Sequence, residues 1–296
     1  MRTRAAILVL VLVLAAGSGV ALARQASTGP AAGHRGADQA LTPGAAASSQ
    51  AADWAAAQVS RSATLSCDPA MCSALQQRGF PASNLVIMRP DALDPLDSNL
   101  MVVTATLRTE LGSPLASVYA PVVLATFGTG SAAIEIRAIA PEGAASYLTQ
   151  FRADFATRKS VGTELLLSPD IHADPPASGQ LSAGHVDSRL IATIGIMAAL
   201  HPVHLVSFGD ASPGASPEVP LRSVLLYGVA HGATAGTALL DSLRALLLAQ
   251  HPPYRPAGVR IVRLVTGQSA LRIWFTAPEP LGLLNASQPV VKISSP

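Results

Sequence analysis

The chain has 296 residues, 49% hydrophobic and 13% charged, with 20 Lys and Arg against 18 Asp and Glu for a formal charge of +2. Arg2 and Arg4 fall in an N-terminal leader, so beyond it basic and acidic residues are equal at 18 each. A neutral chain without a Lys/Arg stripe carries no electrostatic footprint for nucleic acid, and its length allows one large core or two small ones, of which two are expected.

Residues Ala5 to Ala23 are apolar apart from Ser18, follow two arginines and close on Ala21-Leu22-Ala23. This pattern predicts an export signal over 1–23, cleaved after Ala23 or retained as a membrane anchor. No Cys follows it, so no lipid anchor is expected, and the location implied is extracytoplasmic, secreted or held by the N-terminal segment. Residues 24–50 are mostly Ala, Gly, Ser, Thr, Pro and Gln without apolar period and predict a disordered linker.

A small α/β domain is expected over 51–140. Trp54, Ala57 and Val59 begin its pattern, Ala74 to Arg78 is helical and Gly79 stops it, and Leu85 to Met88 is a short buried strand. Leu100 to Leu107 and Val122 to Phe127 are further strands, and Ile134-Glu135-Ile136-Arg137 alternates as a half-exposed strand does. Cys67 and Cys72 are the only cysteines. In an oxidising compartment they are expected to form a disulfide, whose short loop limits its stabilisation to about 2 kcal/mol.

Asp68, Gly79-Phe80, Asp94-Pro95, Val102-Val103-Thr104 with Arg108, Phe127-Gly128-Thr129-Gly130 and Ile134-Glu135-Ile136-Arg137 occur in this order. On these residues the stretch from Trp54 to Ala140 resembles the extracytoplasmic C-terminal domain of actinobacterial membrane-embedded glycosyltransferases. In that family a multi-spanning membrane portion carries the chemistry. The resemblance implies a glycan-associated or scaffold module without the transferase.

An α+β domain with a mainly antiparallel sheet is expected over 141–278, followed by a tail over 279–296. Pro141 and Glu142 suit a first helical turn, with Tyr147, Leu148, Phe151 and Phe155 on one face. Asp187 can cap a second helix carrying the stripe Leu190, Ile191, Ile194, Met197 and Ala198. His201-Pro202 ends that helix, Val203 to Phe208 and Val224 to Val229 are strands, and Gly209 to Pro220 is a turn-rich loop. Leu239 to Leu247 marks a third helix, and Val259 to Val265 with Leu271 to Phe275 form a hairpin around Gly267. The fold class read from the whole is α/β, with no internal repeat.

Gly184-His185-Val186-Asp187-Ser188-Arg189-Leu190, His201-Pro202-Val203 and Gly209-Asp210 give this region a distant resemblance to D-Ala-D-Ala carboxypeptidase-like zinc peptidases. Those enzymes carry a His with an Asp seven residues on and a late-strand His. None of the seven His here has Asp at that spacing, and Leu271 to Phe275 contains no His. The resemblance therefore implies a peptidase-like fold without its metal; no metal or cofactor is expected.

His201 and His204 would point to opposite sides of a strand, and Pro202 prevents a shared helix, so helix end and strand start is the preferred reading. Gly-x-Ser-x-Gly and His-Glu-x-x-His are absent, Ser216 sits in ordinary loop chemistry, and Phe127-Gly128-Thr129-Gly130 precedes a strand where a dinucleotide loop needs a helix. Gly232 to Thr237 precedes a helix but lacks the phosphate-reaching Lys. The remaining polar set, Asp187, Arg189, Asp210 and Arg222, is the candidate binding site, because planar guanidiniums can grip a carboxylate or a sugar. The function expected is an exported, non-catalytic binding module for cell-wall glycan or envelope proteins. The alternative is a peptidoglycan hydrolase in which His185, His204, Asp210 and His231 converge at non-standard spacing.

Overall fold

Thr42 starts the visible architecture as an N-cap, its hydroxyl accepting the Ala45 N–H at 3.4 Å, with Pro43 in the first turn of helix α1 (Pro43–Gln58). The computed structural model describes residues 42–91, 94–209, 214–217, 219–229 and 233–284. The expected signal or anchor, the linker up to Leu41 and the tail beyond Leu284 lie outside the described residues. Helix α1 begins well before the expected linker end at Gln50. Alanine has the best helix propensity, and the small side chains Ala47, Ala51, Ala52 and Ala55 are buried where α1 lies against its neighbours. Apolar periodicity misses such a face because it contains almost no large side chains.

The first sheet contains β1 (Leu65–Cys67), β2 (Leu85–Ile87), β3 (Leu100–Val103), β4 (Val122–Phe127) and β5 (Ile134–Ala138), in the order β2-β1-β3-β5-β4. Strand β1 runs parallel to β2 and β3, whereas β5 is antiparallel to β3 and β4. Helix α2 (Pro69–Gln77) makes the crossover from β1 to β2. Asp68 caps it by accepting the Met71 N–H at 2.8 Å, and its other carboxylate oxygen accepts the Thr104 hydroxyl at 2.5 Å. The expected disulfide joins Cys67 at the end of β1 to Cys72 in α2. The strand expected over 100–107 stops at Val103, and Thr104 becomes the N-cap position of α3 (Ala105–Leu111). Leu107 and Leu111 are both buried, the i, i+4 spacing of one helix face.

Pro141 and Glu142 turn the chain into α4 (Ala144–Leu165). The second sheet contains β6 (Ile171–Ala173), β7 (Val203–Gly209), β8 (Ser223–Gly228), β9 (Gly258–Arg263) and β10 (Ser269–Trp274), in the order β6-β7-β8-β10-β9. Helices α5 (Pro175–Ser182), α6 (Ser188–Leu200) and α7 (Ala233–Leu248) lie between its strands in sequence. The α/β class holds, but the expectation of a mainly antiparallel second sheet is corrected to a mixed one, as in the first. Strand β6 pairs parallel to β7 because α5 and α6 carry the chain back to the same end of the sheet before β7 begins. Ile171–Ala173 is too short for its period to register in the sequence.

Both sheets use one path: a strand, a helix, then a hairpin whose last strand inserts beside the first. It is β3-α3-β4-β5 in one and β8-α7-β9-β10 in the other. The first core gathers Trp54, Leu65, Leu75, Leu124, Phe127 and Ile136, and the second gathers Leu190, Ile194, Leu226, Leu243, Leu271 and Ile273. The two are joined by more than sequence. Tyr147, Leu148 and Phe151 of α4 pack on the first core, as do Val219 and Ala277. Gly214 and Ser216 bond to Thr126 and Leu124 of β4, and Ala277 bonds to Gln58 and Ser60.

Helix α4 approaches α5 closely at Gly162, where an added Cβ would lie 2.5 Å from the Leu181 carbonyl oxygen. That contact is backbone and cannot rotate away. Gly162→Ala is expected to destabilise the chain by about 1–3 kcal/mol through overpacking, and thermal unfolding checks it. An unchanged melting temperature would show that the two helices separate freely there.

Candidate binding face of the second sheet

Successive residues of a strand point to opposite faces, and the second sheet uses its two faces differently. Val203, Leu205, Val224, Leu226, Leu271 and Ile273 point into the core formed with α5, α6 and α7. The opposite face carries His172, His204, Tyr227, Leu225, Arg272, Trp274 and Arg260, all partly or fully exposed. At one corner the end of α1 approaches this face, where Ala57 and Gln58 border a cavity of about 420 Å³. A one-sided sheet with aromatic rings and cations on its open side is the principal candidate for function.

At the β6 edge, His172 lies in register with His204, and His204 with Tyr227. The His204 ring stacks on Tyr227 with centroids 4.7 Å apart and planes 5° from parallel. His204 Nε2 meets Asp174 Oδ1 at 2.9 Å. Burial, and secondarily the Asp174 charge, raises the Tyr227 hydroxyl above its ordinary pKa. At the other edge Trp274 lies opposite Gly258 and Arg272 opposite Arg260. A Cβ on Gly258 would fall 2.0 Å from the Trp274 ring, so the indole lies over bare backbone, and the Arg260 guanidinium sits 5.5 Å from its centroid. Arg222, buried at the cavity wall, stands 5.7 Å over Trp54 of α1. A second cavity of about 400 Å³, lined by Trp54, Phe127 and Gly214 among others, shares Ala57 with the first.

The residues singled out in the sequence divide between two places. Asp187 and Arg189 pair with each other, Nε to Oδ1 at 3.0 Å and Nη2 to Oδ2 at 2.7 Å, with the same carboxylate accepting the Arg189 N–H at 2.8 Å as the α6 cap. Arg189 also donates to the Thr276 carbonyl at 3.0 Å and lies over Phe275 at 4.9 Å. Arg222 is separate, on the cavity wall, and Asp210 lies outside the described residues. Of the alternative hydrolase set, His204 is on the open face and His185 is exposed beside Phe155, with ring centroids 6.3 Å apart; His231 is outside the described residues. His201 caps the end of α6. Among the described residues no three His, Cys, Asp or Glu side chains gather as a metal site.

Three further groups extend the Asp187–Arg189 pair into a buried ionic network. Arg158 Nε lies 3.2 Å from Asp154 Oδ2, and its Nη1 donates to Glu279 Oε1 at 3.2 Å. Asp154 also accepts the Gly282 N–H at 2.9 Å and the Ser188 hydroxyl at 3.4 Å. Burial, reinforced by the Asp187 charge, pushes Glu279 well above the ordinary value of 4.5. Tyr147, beside the network, is pushed up to about 12 by burial and then by the Glu279 and Asp154 carboxylates. A cavity of about 440 Å³ lined by Ser98, Glu142, Tyr147 and Glu279 among others opens here. Asp154 and Arg158, four apart in α4, were visible as a helical ion-pair spacing. Arg260, Arg272 and Trp274 were visible too, because a hairpin about Gly267 sets 260 opposite 272.

Comparison with protein-family models, curated proteins and solved structures finds no match to the chain. The geometry of its own residues is therefore what supports a function.

Two outcomes follow from the network. Asp187→Ala leaves the buried Arg189 unpaired and is expected to cost about 3–5 kcal/mol in chemical denaturation, a larger loss than surface substitutions give. Glu279 titrates higher folded than unfolded, so its contribution is complete below pH 4.5 and is lost as pH rises through the raised value. Glu279→Gln cannot ionise. Its melting temperature relative to the native chain is expected to rise between about pH 4 and pH 8, and a constant difference would overturn the assignment.

Proposed function

We propose that this chain is an exported cell-envelope protein acting as a non-catalytic binding module, with the open face of the second sheet as its contact surface and wall glycan as its partner. The observation that carries the reading is the division of that sheet: one face closed by three helices, the other lined with Tyr227, Trp274, Arg260 and Arg272. Sugar rings have apolar C–H faces that suit aromatic side chains, and their hydroxyls and acidic groups suit planar guanidinium donors. The leader pattern supports export, and the resemblance of residues 54–140 to an extracytoplasmic domain of glycosyltransferases supports a glycan-rich setting.

Co-sedimentation of the exported chain with purified, insoluble wall glycan tests this. Saturable binding is expected, with the bound fraction several-fold lower for the double variant Tyr227→Ala, Trp274→Ala. Absence of sedimentation above that of an inert protein would overturn the reading. Release of soluble muropeptides during the incubation would also overturn it, in favour of a hydrolase.

A further inference from the structure

Residues directly opposite in an antiparallel pair are the closest neighbours on a sheet face, and like charges placed there repel. Strands β9 and β10 put Arg260 directly opposite Arg272, both exposed. Among the described residues neither forms an ion pair with a carboxylate. Both line the cavity of about 420 Å³, together with the buried Arg222 and Ser223, and no acidic side chain lines it among the described residues. The charges are also held in place. Trp274 lies against the backbone of Gly258, where a Cβ would come within 2.0 Å, and the Arg260 guanidinium is set 5.5 Å from the indole centroid.

We propose that the cavity lined by Arg260 and Arg272 is an anion-binding site that takes the carboxylate or phosphate of an acidic sugar. The two guanidiniums of Arg260 and Arg272 present forked donors matched to planar or tetrahedral oxyanions, and a bound anion offsets the repulsion between them. The volume suits a sugar-sized ligand rather than a lone ion. Assigning a sugar as the carrier of the anion rests on the glycan reading of this face; assigning the anion rests on the arginines alone.

Isothermal titration of the exported chain with glucuronic acid, glucose 6-phosphate and glucose tests the site. Saturable binding of at least one acid and none of glucose is expected, and the tighter acid identifies the anion. The double variant Arg260→Gln, Arg272→Gln is expected to bind at least about tenfold more weakly. Both positions are exposed, so the variant folds; its melting temperature at low salt, without ligand, is expected to equal or exceed that of the native chain. Heat from neither acid, or an affinity the double variant leaves unchanged, would overturn the site. The same proteins sedimented with wall glycan separate the two proposals. Sedimentation without acid binding removes the anion site and leaves the glycan reading, whereas arginine-dependent acid binding without sedimentation does the reverse.

Discussion

Five ionisable groups inside the protein, Asp154, Arg158, Asp187, Arg189 and Glu279, set the constraint on which the junction of its two sheets depends. Charges removed from water are tolerated only when paired and hydrogen-bonded, and an odd carboxylate among them must shed its charge. Here two guanidiniums face three carboxyl groups, and Glu279 is the one whose pKa rises well above normal. With Glu279 protonated the network is neutral. Its members come from α4, the start of α6 and the segment after β10, so forming it brings three distant stretches of chain to one place.

That placement has consequences on both sides. The segment leaving β10 is held at Thr276 by Arg189, then reaches α1, where Ala277 exchanges backbone bonds with Gln58 and Ser60. The first core thereby gains Ala277, and the end of α1 comes to lie over one corner of the second sheet. The corner becomes a cavity instead of open surface, and Arg222 of its wall lies over Trp54 of α1. The buried pair Asp187 and Arg189 thus shapes the site from behind, although both residues face away from any ligand that the open face could take.

The open face follows from simpler rules. Alternation along β9 and β10 sends Val259, Leu271 and Ile273 to the core and Arg260, Arg272 and Trp274 outward. Register then decides which outward residues meet. The bulge in β7 between Leu205 and Ser207 keeps His204 beside Tyr227 and Ser207 beside Leu225 on the same side. Aromatic and cationic side chains collect on this side of the sheet, which α1 meets at one corner.

Strong local patterns were legible in the residues themselves. The capped helix from Asp187, the strands Val122–Phe127 and Val203–Gly209, the Gly267 hairpin and the Cys67–Cys72 bond each rest on neighbours within a few positions, where period, cap and turn chemistry act. Elements whose stability comes from distant partners were not. Helix α1 is helical from Pro43 because its alanines fit closely against other elements, β6 exists because β7 lies beside it, and Thr104 ends β3 with its hydroxyl on Asp68. The site divides in the same way. Sequence alone singled out Arg189 and Arg222 as planar donors, but their chemistry is set by what surrounds them. Only the tertiary structure paired Arg189 with Asp187 in the interior and laid Arg222 over Trp54, since the Coulomb field at a guanidinium depends on charges brought near in space and not on charges near in the chain.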